Sequence, residues 1–254
     1  MAVIAVFNQK GGVGKTTTCL NVTAALDIAQ QSPIALDMDP QGHLTLSSGA
    51  KKTTADASVA AFFNQQTPLS CLMQESTRGW PIITASLELA KIDALFGSDP
   101  KAATMLKNGL RDELALTGAP ILIDCCPMLG VLTLNAMLAT DRVLIPVSAD
   151  FLSLQGVHRL DSALNALERK LNRKFERRIV VTRFDARRKM AHDIYEKLGE
   201  RYGDLLCKTR IGENAALATS PMHGRDVFDF APHSLGASDY LALTEELWDS
   251  GFFA

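Results

Sequence analysis

The start of the chain has an apolar segment, a glycine-rich run and a helical pattern in direct succession, and this order limits the possible folds more than any other feature. Residues 2–7 are all apolar and predict a buried strand. The run from Lys10 to Thr17 reads Lys-Gly-Gly-Val-Gly-Lys-Thr-Thr, and the helical pattern begins within it. Glycines let backbone N–H groups turn inward around an anion, and the positive end of a helix lies at the same point. The succession therefore predicts a phosphate-binding loop.

Two side chains of this loop are suited to a nucleotide and its magnesium ion. Lys15 can reach the β- and γ-phosphates, and the hydroxyl of Thr16 can bind Mg²⁺. The usual form of the loop has a glycine five places before Gly14, where this chain has Gln9, and a second lysine, Lys10, follows. The predicted nucleotide-binding residues of the loop are Lys10, Gly11, Gly12, Val13, Gly14, Lys15, Thr16 and Thr17.

With its second lysine, the run resembles the deviant Walker-A ATPases of the ParA/MinD family. The resemblance implies ATP and Mg²⁺ as cofactors and a homodimer that forms when ATP binds. It also implies that Lys10 reaches the nucleotide of the partner subunit, because a cation supplied there stabilises the charge that builds up during phosphoryl transfer. The alternative for Lys10 is a solvated loop lysine.

Two later strand candidates end in carboxylates that belong beside the loop. Asp37 and Asp39 stand in Asp-Met-Asp-Pro-Gln-Gly, and side chains two apart lie on one face of an extended strand. Residues 121–123 are apolar and precede Asp124, a pattern in which the acid holds Mg²⁺ through a water. The resemblance implies that Asp39 orients the attacking water and that Asp37 lies near the loop lysine or the water shell of the metal. The predicted metal-site residues are Thr16, Asp39 and Asp124, and the predicted catalytic residues are Lys10, Lys15 and Asp39.

Apolar runs alternate with helical patterns along the whole chain, and no linker divides it. Strand candidates such as 120–124 and 142–147 are apolar without alternation, as expected for a parallel sheet that is covered on both faces. The sequence therefore predicts an α/β fold with a single doubly wound, mostly parallel sheet flanked by helices, in one domain over residues 1–254. The helix candidates include 153–174, and residues 43–80 have the least regular pattern.

Two residues at the ends of later strands are candidates for contact with the adenine ring. In the family, this ring is contacted by residues at a strand end near residue 182 and in the loop after a strand at 205–209. The resemblance therefore implies that Arg183 and Asn214 contact the adenine here. The loop has Ile-Gly-Glu-Asn at residues 211–214, where the family has Ile-Pro-x-Asn.

Basic residues are concentrated late in the chain, although the formal charge of the whole chain is −2. Ten of its 26 lysines and arginines lie between residues 169 and 189, and such asymmetry suggests an anionic partner. By resemblance we expect these residues to contact the phosphates of nucleoid DNA without sequence specificity. The alternative is that they form a solvated helix face. A spacing of four residues would place the charges at 169–177 on neighbouring stripes of one helix. The DNA-binding candidates are Arg169, Lys170, Arg173, Lys174, Arg187, Arg188, Lys189 and Arg210.

Together these features predict a ParA-type ATPase that partitions or positions a cargo, such as a plasmid, a chromosome or a carboxysome, through hydrolysis stimulated by an adaptor of the ParB kind. Five cysteines without a C-x-x-C pair suggest reduced thiols, so the expected location is the cytoplasm, on the nucleoid. Residues 240–254 contain three acids and no lysine or arginine, so membrane binding is not expected. The alternatives are a MinD-like regulator that cycles on membranes, or a metabolic or metal-cluster enzyme on the same superfold, for which the adjacent Cys125 and Cys126 are the one hint.

Overall fold

The computed structural model describes residues 2–51, 54–96 and 102–254, which form one eight-stranded sheet with the strand order β3-β4-β2-β5-β1-β6-β7-β8. The strands are β1 Val3–Val6, β2 Ile34–Met38, β3 Met73–Glu75, β4 Pro81–Ile83, β5 Ile121–Cys125, β6 Arg142–Ser148, β7 Glu176–Phe184 and β8 Leu206–Gly212. The α-helices are α1 Lys15–Ile28, α2 His43–Ser47, α3 Val59–Gln65, α4 Ile92–Phe96, α5 Met105–Gly109, α6 Val131–Ala139, α7 Phe151–Leu171, α8 Lys189–Tyr202, α9 Ala215–Thr219, α10 Val227–Phe230 and α11 Leu235–Asp249.

Both faces of the sheet are buried, which is why its strands are apolar without alternation. Ala5 and Phe7 point into one hydrophobic cluster, with α3 and α5 to α8, whereas Ile4 and Val6 point into a second, with α1 and α11. The strand pairs are parallel except for β3 with β4. The predicted doubly wound, mostly parallel α/β fold is therefore confirmed.

The irregular region 43–80 contains short elements that the sequence pattern does not reveal, namely α2 and the edge strand β3. A turn of this region packs against a later loop, because the Thr77 N–H donates to the Ser48 carbonyl and the Thr77 hydroxyl donates to the Gly224 carbonyl at 2.9 Å. Gly49 lies in this contact with a positive φ of 71°. A Cβ on Gly49 would overlap both the Thr77 hydroxyl and the Gly224 carbonyl oxygen.

The predicted helix at 153–174 is wrong at its end, because α7 stops at Leu171. Asn172 takes a left-handed φ of 51°, which Asn tolerates, and its N–H caps the helix on the Glu168 carbonyl. Arg173 and Lys174 therefore lie in the turn before β7. The basic residues at 169–177 do not form the predicted helical stripes.

Arg177 is buried at the start of β7 and holds this turn. Its guanidinium pairs with Asp161 and with Glu168 Oε1 at 2.8 Å, and it donates to Asn165 Oδ1 at 3.0 Å. Glu168 also accepts the Phe175 N–H at 2.8 Å. Burial alone would raise the pKa of Glu168, but these hydrogen bonds and charges hold it below its ordinary value. Arg177 is thus a structural cation rather than part of a surface.

We expect Arg177→Ala to lower the free energy of unfolding by about 3–5 kcal/mol, because it removes the buried guanidinium that pairs with both Asp161 and Glu168. The exposed Arg169→Ala is the matched control and should change it by less than about 0.5 kcal/mol. Urea unfolding of both variants measures the difference, and equal effects would contradict the structural role of Arg177.

We expect Gly49→Ala to destabilise the protein by about 2–4 kcal/mol, since it adds a steric overlap to the cost of a left-handed backbone. Gly79→Ala is the control: Gly79 also has a positive φ, of 94°, but a Cβ there meets nothing within 4 Å. Gly79→Ala should lower the free energy of unfolding by only about 1–2 kcal/mol, which is the cost of the left-handed backbone alone. Thermal unfolding of the two variants compares them, and an equally mild effect at residue 49 would refute the packing described.

Candidate phosphate-binding site

The glycine-rich loop connects β1 to α1 at the carboxyl edge of the sheet and is anchored by the strands beside it. Gly12 and Gly14 have positive φ values of 73° and 86°, and Gly14 occupies the N-cap position of α1 without a side-chain cap. The Thr182 hydroxyl at the end of β7 donates to the Val13 carbonyl at 2.8 Å. Asn8 accepts the Lys10 N–H at 3.0 Å and donates to the Pro146 carbonyl at 2.8 Å. Within the part of the chain that the structure describes, no side chain caps the first turn of α1, so its N–H groups are available to an anion.

Lys15 begins α1 and is nearly buried. Its ammonium donates to the Lys10 carbonyl at 3.2 Å, across the loop. Burial lowers the pKa of Lys15, while the nearby carboxylates of Asp124 and Asp39 act to raise it. A bound phosphate would add negative charge here and favour the charged ammonium.

Thr16 and Asp124 meet directly beneath the loop, with the Thr16 hydroxyl donating to Asp124 Oδ2 at 2.7 Å. Asp124 is fully buried at the end of β5, and among residues 2–51, 54–96 and 102–254 its Oδ1 has no hydrogen-bond partner. Burial and the neighbouring charge of Asp37 raise the pKa of Asp124 well above its ordinary value. A hydroxyl beside a partnerless carboxylate oxygen suits a hard cation with oxygen ligands, so the residues present fit Mg²⁺.

Asp37 lies near the end of β2 and accepts hydrogen bonds from backbone N–H groups and a hydroxyl. It is fully buried, its Oδ1 accepts the Asp39 N–H at 3.1 Å, and its Oδ2 accepts the Thr45 N–H at 2.8 Å and the Thr45 hydroxyl at 2.7 Å. Thr45 in turn accepts the Ala85 N–H at 2.9 Å. Burial raises the pKa of Asp37 to about 6. The oxygens of Asp37 hold α2 and the segment after β4 in place, and its charge also acts on Asp124, so its expected position near the loop lysine or the water shell of the metal stays a prediction.

Asp39 is half-buried and lies beyond the end of β2, where its Oδ1 accepts the Gln41 N–H at 2.9 Å. Its charge acts on both Lys15 and Asp124. The three residues therefore share one site, although they stand far apart in the sequence. The role of Asp39 in catalysis and at the metal stays a prediction.

Lys10 is half-buried and paired, because its ammonium contacts Asp150 of the same chain. Its distances to Asp150 Oδ1 and Oδ2 are 2.6 and 2.7 Å, and the Ser153 hydroxyl lies 2.9 Å away. Asp150 is the N-cap residue of α7 and accepts the Ser153 N–H at 3.0 Å. Burial would raise the pKa of Asp150, but hydrogen bonds from Lys10, Ser148 and Ser153 lower it to about 2. Sequence reasoning did not select Asp150, and its one local signal is an acid just before a long helix.

Arg183 and Asn214 lie at the ends of neighbouring strands, on the same edge as the loop. Arg183 is exposed with a positive φ of 52°, and its guanidinium donates to the Gly12 carbonyl at 3.3 Å. Asn214 caps α9 through its side chain, and the Glu213 N–H donates to the Phe184 carbonyl at 3.2 Å. The structure brings the two loops together, and contact with adenine stays a prediction.

The eight DNA-binding candidates do not form one surface. We name the first four the amino-edge set (Arg169, Lys170, Arg173 and Lys174), because they precede β7, and the others the carboxyl-edge set (Arg187, Arg188, Lys189 and Arg210), because they follow β7 or end β8. The nine residues of β7 separate the sets by about 30 Å. Contact of either set with DNA stays a prediction.

Ion pairs and rings engage members of both sets. In the amino-edge set, Arg173 pairs with Asp141 at 3.0 Å and Lys174 pairs with Glu168 at 3.1 Å. In the carboxyl-edge set, Arg187 and Arg188 pair with Asp185, and the Arg210 guanidinium lies 4.6 Å from the Phe184 ring centroid. Lys189 is exposed at the start of α8.

Two structural observations bear on the alternative functions. Among residues 2–51, 54–96 and 102–254, no helix combines the length and apolarity that a membrane crossing requires. In the same residues, no group of three or more His, Cys, Asp or Glu side chains has the arrangement of a metal site. Cys125 and Cys126 are buried free thiols.

Sequence comparison relates almost the whole chain to partitioning proteins. A family model described as an AAA domain matches residues 1–177. The sporulation initiation inhibitor protein Soj of Bacillus subtilis is 31% identical over 98% of this chain and 99% of its own length. The chromosome partitioning protein ParA of Myxococcus xanthus is 32% identical over 96% of this chain and 87% of its own length.

Solved structures support the same fold. A cobyrinic acid a,c-diamide synthase structure from Mycobacterium smegmatis, with bound ADP and magnesium, matches with a TM-score of 0.83 and 27% identity, covering 99% of this chain and 96% of that one. Apo McdA from Cyanothece matches with a TM-score of 0.85 over 97% of this chain and 99% of its own, and at 18% identity it bears on the fold alone. The family model, the Soj and ParA relatives and the loop geometry agree. The chain therefore belongs to the ParA/MinD family of deviant Walker-A ATPases.

Proposed function

We propose that this chain is a ParA-type ATPase that binds ATP and Mg²⁺ at the loop of residues 10–17 and hydrolyses the ATP. The observation that carries the proposal is the buried Thr16–Asp124 pair with its partnerless carboxylate oxygen, beside Lys15. Thr16 and Asp124 would hold the ion, with Asp39 facing it. When bound, Mg²⁺ neutralises charge on the phosphates. Lys15 would bind the phosphates, and Asp39 would orient the attacking water.

ATP would join two subunits into a homodimer in which Lys10 of each subunit reaches the nucleotide of the other. The departure of Gln9-Lys10 from the usual loop and the kinship with Soj and ParA support this step. A cation from the partner would make hydrolysis depend on assembly. An adaptor of the ParB kind would then stimulate ATP hydrolysis in the dimer and so cause it to dissociate.

The dimer would bind non-specific DNA, which places the protein in the cytoplasm on the nucleoid. The carboxyl-edge set lies on the same edge of the sheet as the nucleotide loop, so two copies joined there would bring their sets together. The amino-edge set lies at the opposite edge and would not respond to the nucleotide. Cycling between bound and free states would partition or position a cargo such as a plasmid, a chromosome or a carboxysome.

Two other functions fit the family but have weaker support. A MinD-like regulator needs an amphipathic C-terminal segment for the membrane, whereas Phe252 and Phe253 are buried against the body here. The structural match to a cobyrinic acid synthase allows a metabolic enzyme on this superfold. The ParA relative named for chromosome partitioning covers 96% of this chain and 87% of its own length, so partitioning is the better-supported proposal.

Binding to random-sequence duplex DNA, measured by fluorescence anisotropy with ADP and with ATP, tests the proposed function. We expect salt-sensitive binding with ATP alone, and its loss in Lys15→Ala. The variant Arg187→Ala/Arg188→Ala/Lys189→Ala should lower the affinity by about tenfold or more, because each lost phosphate contact weakens binding and reduces the salt slope by about 0.9.

The matched control is Arg169→Ala/Lys170→Ala/Lys174→Ala, which removes the same charge from the other edge and should stay within about twofold of wild type. Loss of binding in this control alone would assign DNA to the amino edge. Nucleotide-independent binding, or none, would refute the DNA switch and favour the membrane or metabolic alternative.

Asp124→Asn should raise the stability of the ligand-free protein but abolish its further stabilisation by Mg²⁺ and ATP. A raised carboxyl pKa in the folded state means that stability falls as the pH rises through that pKa, so an uncharged side chain should stabilise the free protein at neutral pH. The gain from Mg²⁺ and ATP, about 2.7 kcal/mol at 100 times the Kd, should vanish. Thermal unfolding with and without Mg²⁺ and ATP measures both effects.

Asp37→Asn is the structural contrast, because its amide would face the N–H and hydroxyl donors of Thr45 and Asp39. It should lower stability by about 1–3 kcal/mol with or without Mg²⁺. A normal Mg²⁺ response in Asp124→Asn would remove Asp124 from the metal site.

A further inference from the structure

The ammonium of Lys10 is fully engaged within its own subunit. Both oxygens of Asp150 and the Ser153 hydroxyl contact it within 2.9 Å. The pair is only partly buried, with 31% of the Lys10 side chain and 42% of the Asp150 side chain exposed. Lys10 can therefore leave this contact without a large rearrangement of the core.

Asp150 is held in place independently of Lys10. It accepts the Ser153 N–H at 3.0 Å as the cap of α7, and the Ser148 hydroxyl at 2.6 Å fixes its other oxygen. Because β6 and α7 anchor these serines, Asp150 cannot follow Lys10 toward another subunit. Lys10 must break the ion pair whenever its ammonium moves to a nucleotide across an interface.

We propose that Asp150 is a positioning residue that retains Lys10 in its own subunit and so sets the protein concentration at which the ATP-bound dimer forms. This inference rests on the proposed function, in which Lys10 acts in the partner's site. The carboxylate competes with the nucleotide of the partner for one ammonium. Each dimer has two such pairs to break, so the competition acts twice in every assembly step.

The expected size of the effect follows from the exposure of the pair. A partly exposed ion pair shifts an equilibrium by about threefold, and two of them shift dimerisation by about tenfold. Asp150→Asn removes the charge, retains the shape and keeps a side chain that caps helices well. We therefore expect this variant to fold and to form the dimer at about one-tenth of the wild-type concentration.

Analytical ultracentrifugation with Mg²⁺ and a non-hydrolysable ATP analogue measures the dimer Kd. Asp249→Asn is the matched control, since Asp249 is an exposed acid at the end of α11, and its Kd should equal that of wild type. The pair Lys10→Ala and Lys10→Ala/Asp150→Asn completes the cycle. These two variants should have the same Kd, because without Lys10 the carboxylate has nothing to retain.

A tighter dimer in Asp150→Asn that depends on Lys10 supports the inference. An unchanged or weaker dimer in Asp150→Asn overturns it, and so does a tighter dimer that persists without Lys10. If wild type and Asp150→Asn both stay monomeric with the analogue, the proposed function fails as well. A wild-type dimer that Asp150→Asn does not alter overturns the inference alone.

Discussion

The structure depends on buried charge at the ends of two neighbouring parallel strands. The pairing of β2 with β5 sets Asp37 opposite Asp124, and Lys15 is nearly buried beside them. Such charges are costly unless each has a partner. Asp37 has Thr45 and the Asp39 N–H, whereas one oxygen of Asp124 has no partner. The site therefore holds less positive charge than its carboxylates require, and a bound cation would supply the difference, so that ligand binding and stability are linked.

At the same edge of the sheet, the Lys10 ammonium has two alternative partners, namely Asp150 of its own subunit and the nucleotide of the partner subunit. The parallel arrangement brings the ends of β1 and β6 together, so Lys10 after β1 meets Asp150 after β6. In the proposed dimer the same ammonium would serve the nucleotide of the partner. A loop that can hold its cation in either place would make assembly conditional, as a switch requires. The carboxyl-edge set lies on this edge too, which would link nucleotide, dimer and DNA.

Local sequence signals predict the fold and those site residues that lie at the phosphate-binding loop or at a strand end beside it. Thr16 and Asp124 were predicted for one site because a glycine-rich loop and a strand-terminal acid each have a strong local pattern. The partner of Lys10 lies 140 residues away and has no pattern beyond that of a helix cap, so only the topology reveals it. The end of α7 did have a signal in Asn172, but the basic residues beyond it suggested that the helix continued. The pattern of two acids two residues apart does not reveal the hydrogen bonds between Asp37 and Thr45, because Thr45 lies in α2, a helix that the sequence pattern also does not reveal.

In the proposed mechanism, ATP moves Lys10 from its own subunit to that of its partner. The most direct test is an experimental structure of the protein with Mg²⁺ and a non-hydrolysable ATP analogue. We expect two subunits that face each other across two nucleotides, with the Lys10 ammonium on the phosphates of the partner and Asp150 released. A nucleotide-filled subunit in which Lys10 still lies on its own Asp150 would contradict it.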